Sequence, residues 1–526
     1  MQIKKSYFSL LFPENCRQYE LMQPVFFADL QLEGILKAIL SKYMEFDIRK
    51  YFYTIPGSVH TVRFRQNIYR DIEKNPVMVP AFKRYTNLLL ESEKCFLFYQ
   101  QVDDAVKQGS YLLLTCRTWL EALELLKETV DRAELSSEGL LELRKILDEL
   151  DLDKEFMDFK SIVREAFSSM EELSLTLLVK KGRLSVLENM PEPEKDIATQ
   201  IREFMDAFDI IDTKSSGEDS LVKNIFPSPL ETSPLENAVI DILKKSRPGI
   251  FETLKNFCDV SFTLKDDMFC RLKNEILFYI SFYEFEKQLG EFGYDLAFPE
   301  IVEQDGLETE DVYDIALAWK NRFLDYNIIK NDISYREGKS FLVITGPNQG
   351  GKTTLARAVG QSVYFMLIGL KAPCRRMKTR FFQQILTHFE VEESVETGAG
   401  KLKEELQRLK PMMQGSSGSR KNNFVILNEL FTTATTYDAR IMAKKVLAHF
   451  IGNDCLGIYV THIQELADES SQPGIQSMVA QVEPGDQAVR TYKILPMAAN
   501  GLGYADSIVK KYGLDFEQVT RRISGL

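Results

Sequence analysis

The apolar run Phe341-Leu342-Val343-Ile344, followed almost at once by Gly346-Pro347-Asn348-Gln349-Gly350-Gly351-Lys352-Thr353-Thr354, constrains this 526-residue chain more than any other stretch. Four consecutive apolar residues of strand character predict a strand buried on both faces, which requires covering layers on each side. The glycines then let backbone N–H groups turn inward around an anion, and the helix that follows adds the positive end of its dipole. Lys352 supplies a point charge for the β- and γ-phosphates, and the Thr353 hydroxyl is placed for Mg²⁺. The spacing predicts an α/β domain with a phosphate-binding loop for a nucleotide.

Such a loop needs a second strand that ends in polar groups facing the metal and the attacking water. Phe424-Val425-Ile426-Leu427-Asn428-Glu429 has that form. Glu429 is the candidate for polarising water, and Asn428 stands where an Asp is usual, so Thr353 and Asn428 are the candidate metal groups. Loss of a carboxylate beside Mg²⁺ weakens the metal by on the order of a few kcal/mol before relaxation, and slow hydrolysis is the expected consequence. A further buried strand, Leu456-Gly457-Ile458-Tyr459-Val460, ends at Thr461-His462, which places an imidazole for sensing the γ-phosphate or orienting water.

Composition excludes several alternatives. With 44% hydrophobic residues the chain can bury real cores. Seven cysteines with no CxxC pair, and only four histidines, suggest neither a disulfide framework nor a zinc site, and a reducing cytoplasm fits. The first residues carry no signal-length apolar segment and no stretch approaches a membrane span, so neither secretion nor a membrane partner is expected. A net charge of −12 argues against a generally basic surface. Local basic candidates are Lys180-Lys181-Gly182-Arg183, the run Lys371 to Arg380, and Ser419-Arg420-Lys421, each of which on its own reads more simply as solvated surface.

Residues 20 to 330 read as mostly helical. Trp119, Ala122, Leu123, Leu126 and Val130 follow helical spacing, as do Leu235, Ala238, Val239, Ile242 and Leu243, with Pro234 at the first helical position and Arg247-Pro248-Gly249 at the end. Between them, Leu173 to Leu187 alternates about Lys180-Lys181-Gly182-Arg183 and predicts a β-hairpin. Ile211 to Leu235, with Pro227, Pro229 and Pro234, reads as a linker. From about Asn331 the pattern changes to strands, glycine loops and helices.

Taken together, Gly346 to Thr353, Asn428-Glu429-Leu430 with Thr432 to Asp438, and Thr461-His462-Ile463-Gln464-Glu465-Leu466 resemble the ATPase domain of the MutS family of DNA mismatch-repair proteins. Asn331-Asp332 and Tyr492-Lys493-Ile494-Leu495 are similar too. The resemblance is strong over 331–526 and weaker over about 25–330, where Phe52-Tyr53-Thr54 and Arg63-Phe64-Arg65-Gln66 are similar to the helical core. It implies a multidomain protein: an all-α core and lever arms with a small β-hairpin, then an α/β P-loop ATPase domain of the ATP-binding-cassette type. The implied domains are 1–110 as the first part of the core, 111–234 as lever-arm helices with a clamp-like hairpin near 173–188, 235–330 as returning helices of the core, and 331–526 as the ATPase domain.

There are departures from the family pattern. No mismatch-reading or connector domain is recognised, so the chain reads as a short, divergent member with no strong preference for mispaired duplex. The family's Ser-Thr-Phe signature, which reaches across a dimer, aligns with Gly398-Ala399-Gly400-Lys401-Leu402, where Gly400 and Lys401 remain as the trans candidates without the hydroxyl.

The expectation is a cytoplasmic, homodimeric, Mg²⁺-dependent ATPase whose nucleotide state controls clamping on double-stranded or branched DNA, through Lys180, Lys181 and Arg183. Gly346 to Thr354 hold the phosphates of ATP, Ile328 and Ile329 form an apolar bed for adenine, and Glu429 and His462 act at the γ-phosphate. The alternatives are an ATP-dependent switch with little hydrolysis and a ribosome- or structured-RNA-acting factor.

Overall fold

The computed structural model describes residues 8–13, 19–171, 176–180, 183–187, 234–259, 267–303, 306–324, 328–390, 400–415, 422–482 and 490–499, with 519, 520 and 522. The described chain falls into two compact units, one of residues 1–8, 74–136 and 140–273, the other of 9–73, 137–139 and 274–526.

Among the described residues the first unit is helical apart from one hairpin. Helices Met78–Gln101 and Ala105–Arg132 are joined by a short turn in which the Asp104 carboxylate accepts from the N–H groups of Val106 and Lys107, a capping arrangement that starts the second helix. The stripe predicted from Trp119 to Val130 is buried, and the Trp119 ring meets Phe156, Phe159 and Phe269 edge-on at 6.1 to 6.3 Å. A helix starts at Pro234 and runs to Ser246, and the next begins at Pro248. The linker expected before Pro234 lies outside the described residues. The hairpin is present as β1 (Thr176–Lys180) and β2 (Arg183–Leu187), antiparallel, with Lys180 opposite Arg183. Lys180 and Arg183 are therefore strand-end partners flanking a two-residue connection, and Lys181 lies outside the described residues.

Among the described residues the second unit holds two sheets. β3 (Glu300–Ile301), β4 (Leu307–Val312), β5 (Asn331–Ser334) and β7 (Arg376–Thr379) form one, in the order β3-β7-β4-β5. β6 (Phe341–Thr345), β8 (Gln384–His388), β9 (Asn423–Asn428), β10 (Leu456–Val460), β11 (Ile475–Val482) and β12 (Arg490–Pro496) form the other, in the order β12-β11-β6-β10-β9-β8. This second sheet is parallel except for β12, which runs antiparallel to β11. β6, β9 and β10 are buried throughout, as their unbroken apolar runs require.

Two expectations change. The segment 235–330, read as returning helices, contains β3 and β4, and β4 pairs with β5, so the α/β layer begins upstream of Asn331. The acidic residues Glu308, Glu310 and Asp311 hid the strand, since their charge is balanced only by a partner some seventy residues later. That partner is the basic run. Arg375 pairs with Glu310 at 2.7 Å and Asp311 at 3.0 Å, Lys378 with Glu300 at 3.5 Å and Arg380 with Asp454 at 3.2 Å, while Lys371 is held by Glu73 and Glu286. Lys371 to Arg380 is thus matched by acidic neighbours, with Arg375 and Arg376 exposed to solvent beside theirs. The third basic candidate, 419–421, lies outside the described residues.

Residues 9–73, expected in a core apart from the ATPase domain, stand in the same compact unit as both sheets. The helix Lys352–Leu367 is buried on nearly all sides and needs that cover. Gln361 donates to the Leu30 carbonyl at 2.9 Å, Tyr364 to the Phe52 carbonyl at 2.8 Å, and the buried Arg65 guanidinium to the carbonyls of Leu11 and Ile368. Among the described residues no helix is long and apolar enough to cross a membrane.

Candidate functional site

The chain leaves the end of β6 through Gly346, whose φ of +126° is open to glycine alone at little strain. A Cβ there would stand 2.9 Å from the Cβ of Ala480 on β11, so the loop lies directly on the neighbouring strand. Gly351, at φ +86°, turns the chain into the helix Lys352–Leu367, whose first N–H groups have no intrahelical carbonyl to bond. The buried Lys352 ammonium donates to the carbonyls of Gly346 and Pro347, both at 2.9 Å, and so braces the loop across its own turn. Burial lowers its pKa from the usual lysine range, Glu429 opposes that shift, and Arg490 adds to it. Loss of solvation weakens the competition from water for this charge, which favours an anionic ligand.

Three parallel strands deliver the remaining groups to the same end of the sheet. Thr353 donates its hydroxyl to the Asn428 side-chain oxygen at 3.0 Å, joining the start of the helix to the last residue of β9. Glu429 follows with φ +54°, and its N–H bonds the Val460 carbonyl at the end of β10. Thr461 N–H in turn reaches the Ile344 carbonyl of β6. These links hold His462 Nε2 at 2.8 Å from Glu429 Oε1. The hydrogen bond from His462 holds the Glu429 carboxyl below its usual range, against the opposing effect of burial.

A cavity of about 1080 Å³ opens over this array. Asn348 to Thr354 line one wall, Glu429 and His462 one end, and Val312, Tyr313, Leu317, Ile328 and Ile329 a largely apolar side. Arg490, Thr491 and Tyr492 of β12 complete it. Gly346 and Pro347 form the base of the loop and are not among the lining residues, and Asn428 contributes through Thr353. Gly400 is exposed just before the helix Lys401–Gly415 and does not line the cavity, and the Lys401 side chain lies outside the described residues.

Asn331 and Tyr492, noted above only as part of the resemblance, take structural places in the site, and Asp314, Arg357, Gln361 and Arg490 enter it without having been singled out. Asn331 ties β5 to β12, donating to the Tyr492 carbonyl at 3.1 Å and accepting from Ile494 N–H at 2.8 Å. Tyr492 has φ +56°, and its ring contacts the position of Gly351. Asp314 caps the helix Ile315–Asn321 and also binds Arg357 at 3.1 Å and Gln361 at 2.9 Å, fastening the apolar wall to the phosphate-loop helix. Arg490 stands among the cavity residues more than a hundred positions from the loop it faces, and no spacing rule reaches that far. Among the described residues no cluster of three or more His, Cys, Asp or Glu side chains is placed to hold a metal, and the side-chain oxygens that meet at the start of the phosphate-loop helix are the neutral ones of Thr353 and Asn428.

Residues 342–519 match the family described as MutS domain V. The DNA mismatch repair protein MSH2 of Saccharomyces cerevisiae is 31% identical over 164 residues, 30% of this chain and 17% of that protein. The DNA mismatch repair protein MutS of Halothermothrix orenii is 26% identical over 189 residues, 35% of this chain and 21% of the relative. For the DNA mismatch repair protein MSH3 of Yarrowia lipolytica the figures are 24% over 276 residues, 51% and 27%. The matched part of this chain thus spans 17% to 27% of the length of these curated relatives.

Proposed function

We propose that this chain, whose residues 342–519 match MutS domain V, is a MutS-family protein that binds and hydrolyses ATP and whose nucleotide state controls its grip on duplex or structured DNA, in repair or recombination. The observation that carries this reading is the convergence of the phosphate loop, the Thr353–Asn428 bond and the Glu429–His462 pair on one cavity.

In this reading the loop amides and Lys352 hold the β- and γ-phosphates, and the apolar wall with Ile328 and Ile329 receives adenine. Glu429 orients a water for attack on the γ-phosphorus and takes its proton as the new P–O bond forms and the bond to ADP breaks. His462 holds the Glu429 carboxylate in place and stands ready to bond a γ-phosphate oxygen. Mg²⁺, when bound, neutralises charge on the phosphates, and Thr353 and Asn428 are the groups that would hold it. Two neutral oxygens suit a cation that keeps waters and takes its main anionic ligands from the nucleotide. A homodimer, with Gly400 and Lys401 reaching the partner's nucleotide, belongs to the same reading, as does a cytoplasmic setting.

A second reading, a switch that binds ATP and hardly hydrolyses it, is favoured by one feature: Asn428 has no charge to offer the metal and is already engaged by Thr353. One measurement separates the two. Steady-state ATP turnover is compared for the parent, Glu429→Gln and Asn428→Asp, alone and with matched duplex, mismatched duplex, branched DNA and ribosomes. For an ATPase, Glu429→Gln lowers kcat about a hundredfold or more with ATP still bound. A large gain in Asn428→Asp from a near-zero parent identifies the switch. Unchanged turnover in Glu429→Gln removes Glu429 from its role, and stimulation by ribosomes alone moves the substrate from DNA to RNA.

A further inference from the structure

The backbone that carries Glu429 has a shape that its own residues do not favour. Glu429 and Phe431 both adopt left-handed φ values, +54° and +62°, with Leu430 between them. Side chains crowd the backbone in that region, so two such residues within three positions persist only where their surroundings impose the conformation. Burial of Leu430 and Phe431 in the core beneath the sheet is one such constraint.

The other is a carboxylate. Glu405, on the helix Lys401–Gly415, accepts the Phe431 N–H at 2.8 Å. In the same loop, the Thr432 hydroxyl donates to Glu390, just past β8, at 3.3 Å. Glu405 sits in surroundings that disfavour its charge: burial raises its pKa, the Phe431 N–H offsets part of that, Glu390 adds to the rise, and Arg408 opposes it. Its second oxygen, Oε2, is buried and has no hydrogen-bond partner among the described residues. A half-buried carboxylate with one oxygen unsatisfied is a poor choice for filling space, since an apolar side chain of similar size would avoid the desolvation. What it supplies that an apolar residue cannot is an acceptor for one particular N–H, two residues from Glu429.

We propose that Glu405 is a positioning residue for Glu429: by fixing the Phe431 amide it sets the left-handed turn that aims the Glu429 carboxylate at His462 and the cavity. This rests on the hydrolytic reading of the site. Glu405 does not line the cavity, so its effect passes through the loop alone.

The test compares Glu405→Ala and Glu405→Gln with the parent in ATP affinity, kcat and the ring NMR signals of the four histidines. The Ala variant is expected to lose about a hundredfold in kcat while ATP affinity stays within about threefold, and to shift the His462 signals. The Gln side-chain oxygen still accepts from Phe431 N–H, so that variant recovers kcat to within about fivefold and restores the His462 signals. If Ala fails to fold, Glu405→Asp, one methylene too short, takes its place with the same expectation. Parental kcat and unmoved His462 signals in Glu405→Ala overturn the proposal, as does a loss of ATP affinity that parallels the loss of kcat. A parent that binds ATP without turning it over retires the hydrolytic reading alone, and the His462 signals then decide for or against Glu405.

Discussion

At the scale of single residues, the second unit holds an imidazole in a place that charge cannot follow. His388, at the end of β8, is fully buried, and burial together with the nearby Arg408 pushes its pKa from 6.5 down to about 4. It lies in the same row of the sheet as Leu427 and Tyr459. The folded protein keeps His388 neutral, whereas the unfolded chain takes up a proton below about pH 6.5, so stability falls as the pH drops through the window between the two values. By about pH 5 the loss from this group is about 2 kcal/mol. Replacing it with a group that does not titrate removes that slope: in His388→Gln the thermal midpoint should fall less between about pH 7 and about pH 5 than in the parent. Equal slopes would mean that His388 is solvated or protonated in the fold. That Lys352 and Glu429 would meet at one cavity was legible because each sits in a local pattern at the end of an apolar strand, while the surroundings of His388 and Glu405 were not, because they come from distant partners.

At the scale of elements, the sheet centre depends on one small residue. Gly457 of β10 lies between β9 and β6, and a Cβ there would stand 2.3 Å from the Val425 carbonyl oxygen and 2.6 Å from the Phe341 ring. Both neighbours are central and fully buried, so neither can yield. Gly457→Val should therefore destabilise the second unit by about 3 kcal/mol or more, seen as a lowered thermal midpoint and lost ATP binding, while a parental midpoint would show that the strands can part at no cost. The strands β6, β9 and β10 were readable because each is an apolar run of strand length. β3 and β4 were not, because acidic strands look soluble until the basic β7 is set beside them.

At the scale of the whole molecule, the described chain forms two compact units, with the cavity over Asn348 to Thr354 in one and the hairpin β1–β2 in the other. The proposed grip on DNA assigns that hairpin a contact with the phosphate backbone. Changing Lys180, Lys181 and Arg183 together to Glu should weaken duplex binding about tenfold or more at fixed salt and reduce its salt dependence, with ATP turnover in the absence of DNA unchanged. Undiminished binding would detach the hairpin from the clamp role. By itself the sequence determined the phosphate loop, its strand and helix, the strands that end at Asn428 and His462, and the hairpin, because each is a local pattern whose backbone geometry follows from neighbouring residues. Only the tertiary structure decided that residues 9–73 cover the phosphate-loop helix, that the basic run 371–380 is spent on acidic partners, that β12 closes the cavity and that Glu405 braces the Glu429 loop. Those outcomes depend on which buried charge or backbone group meets which distant partner, and that is settled by the packing of the folded chain and by no spacing within it.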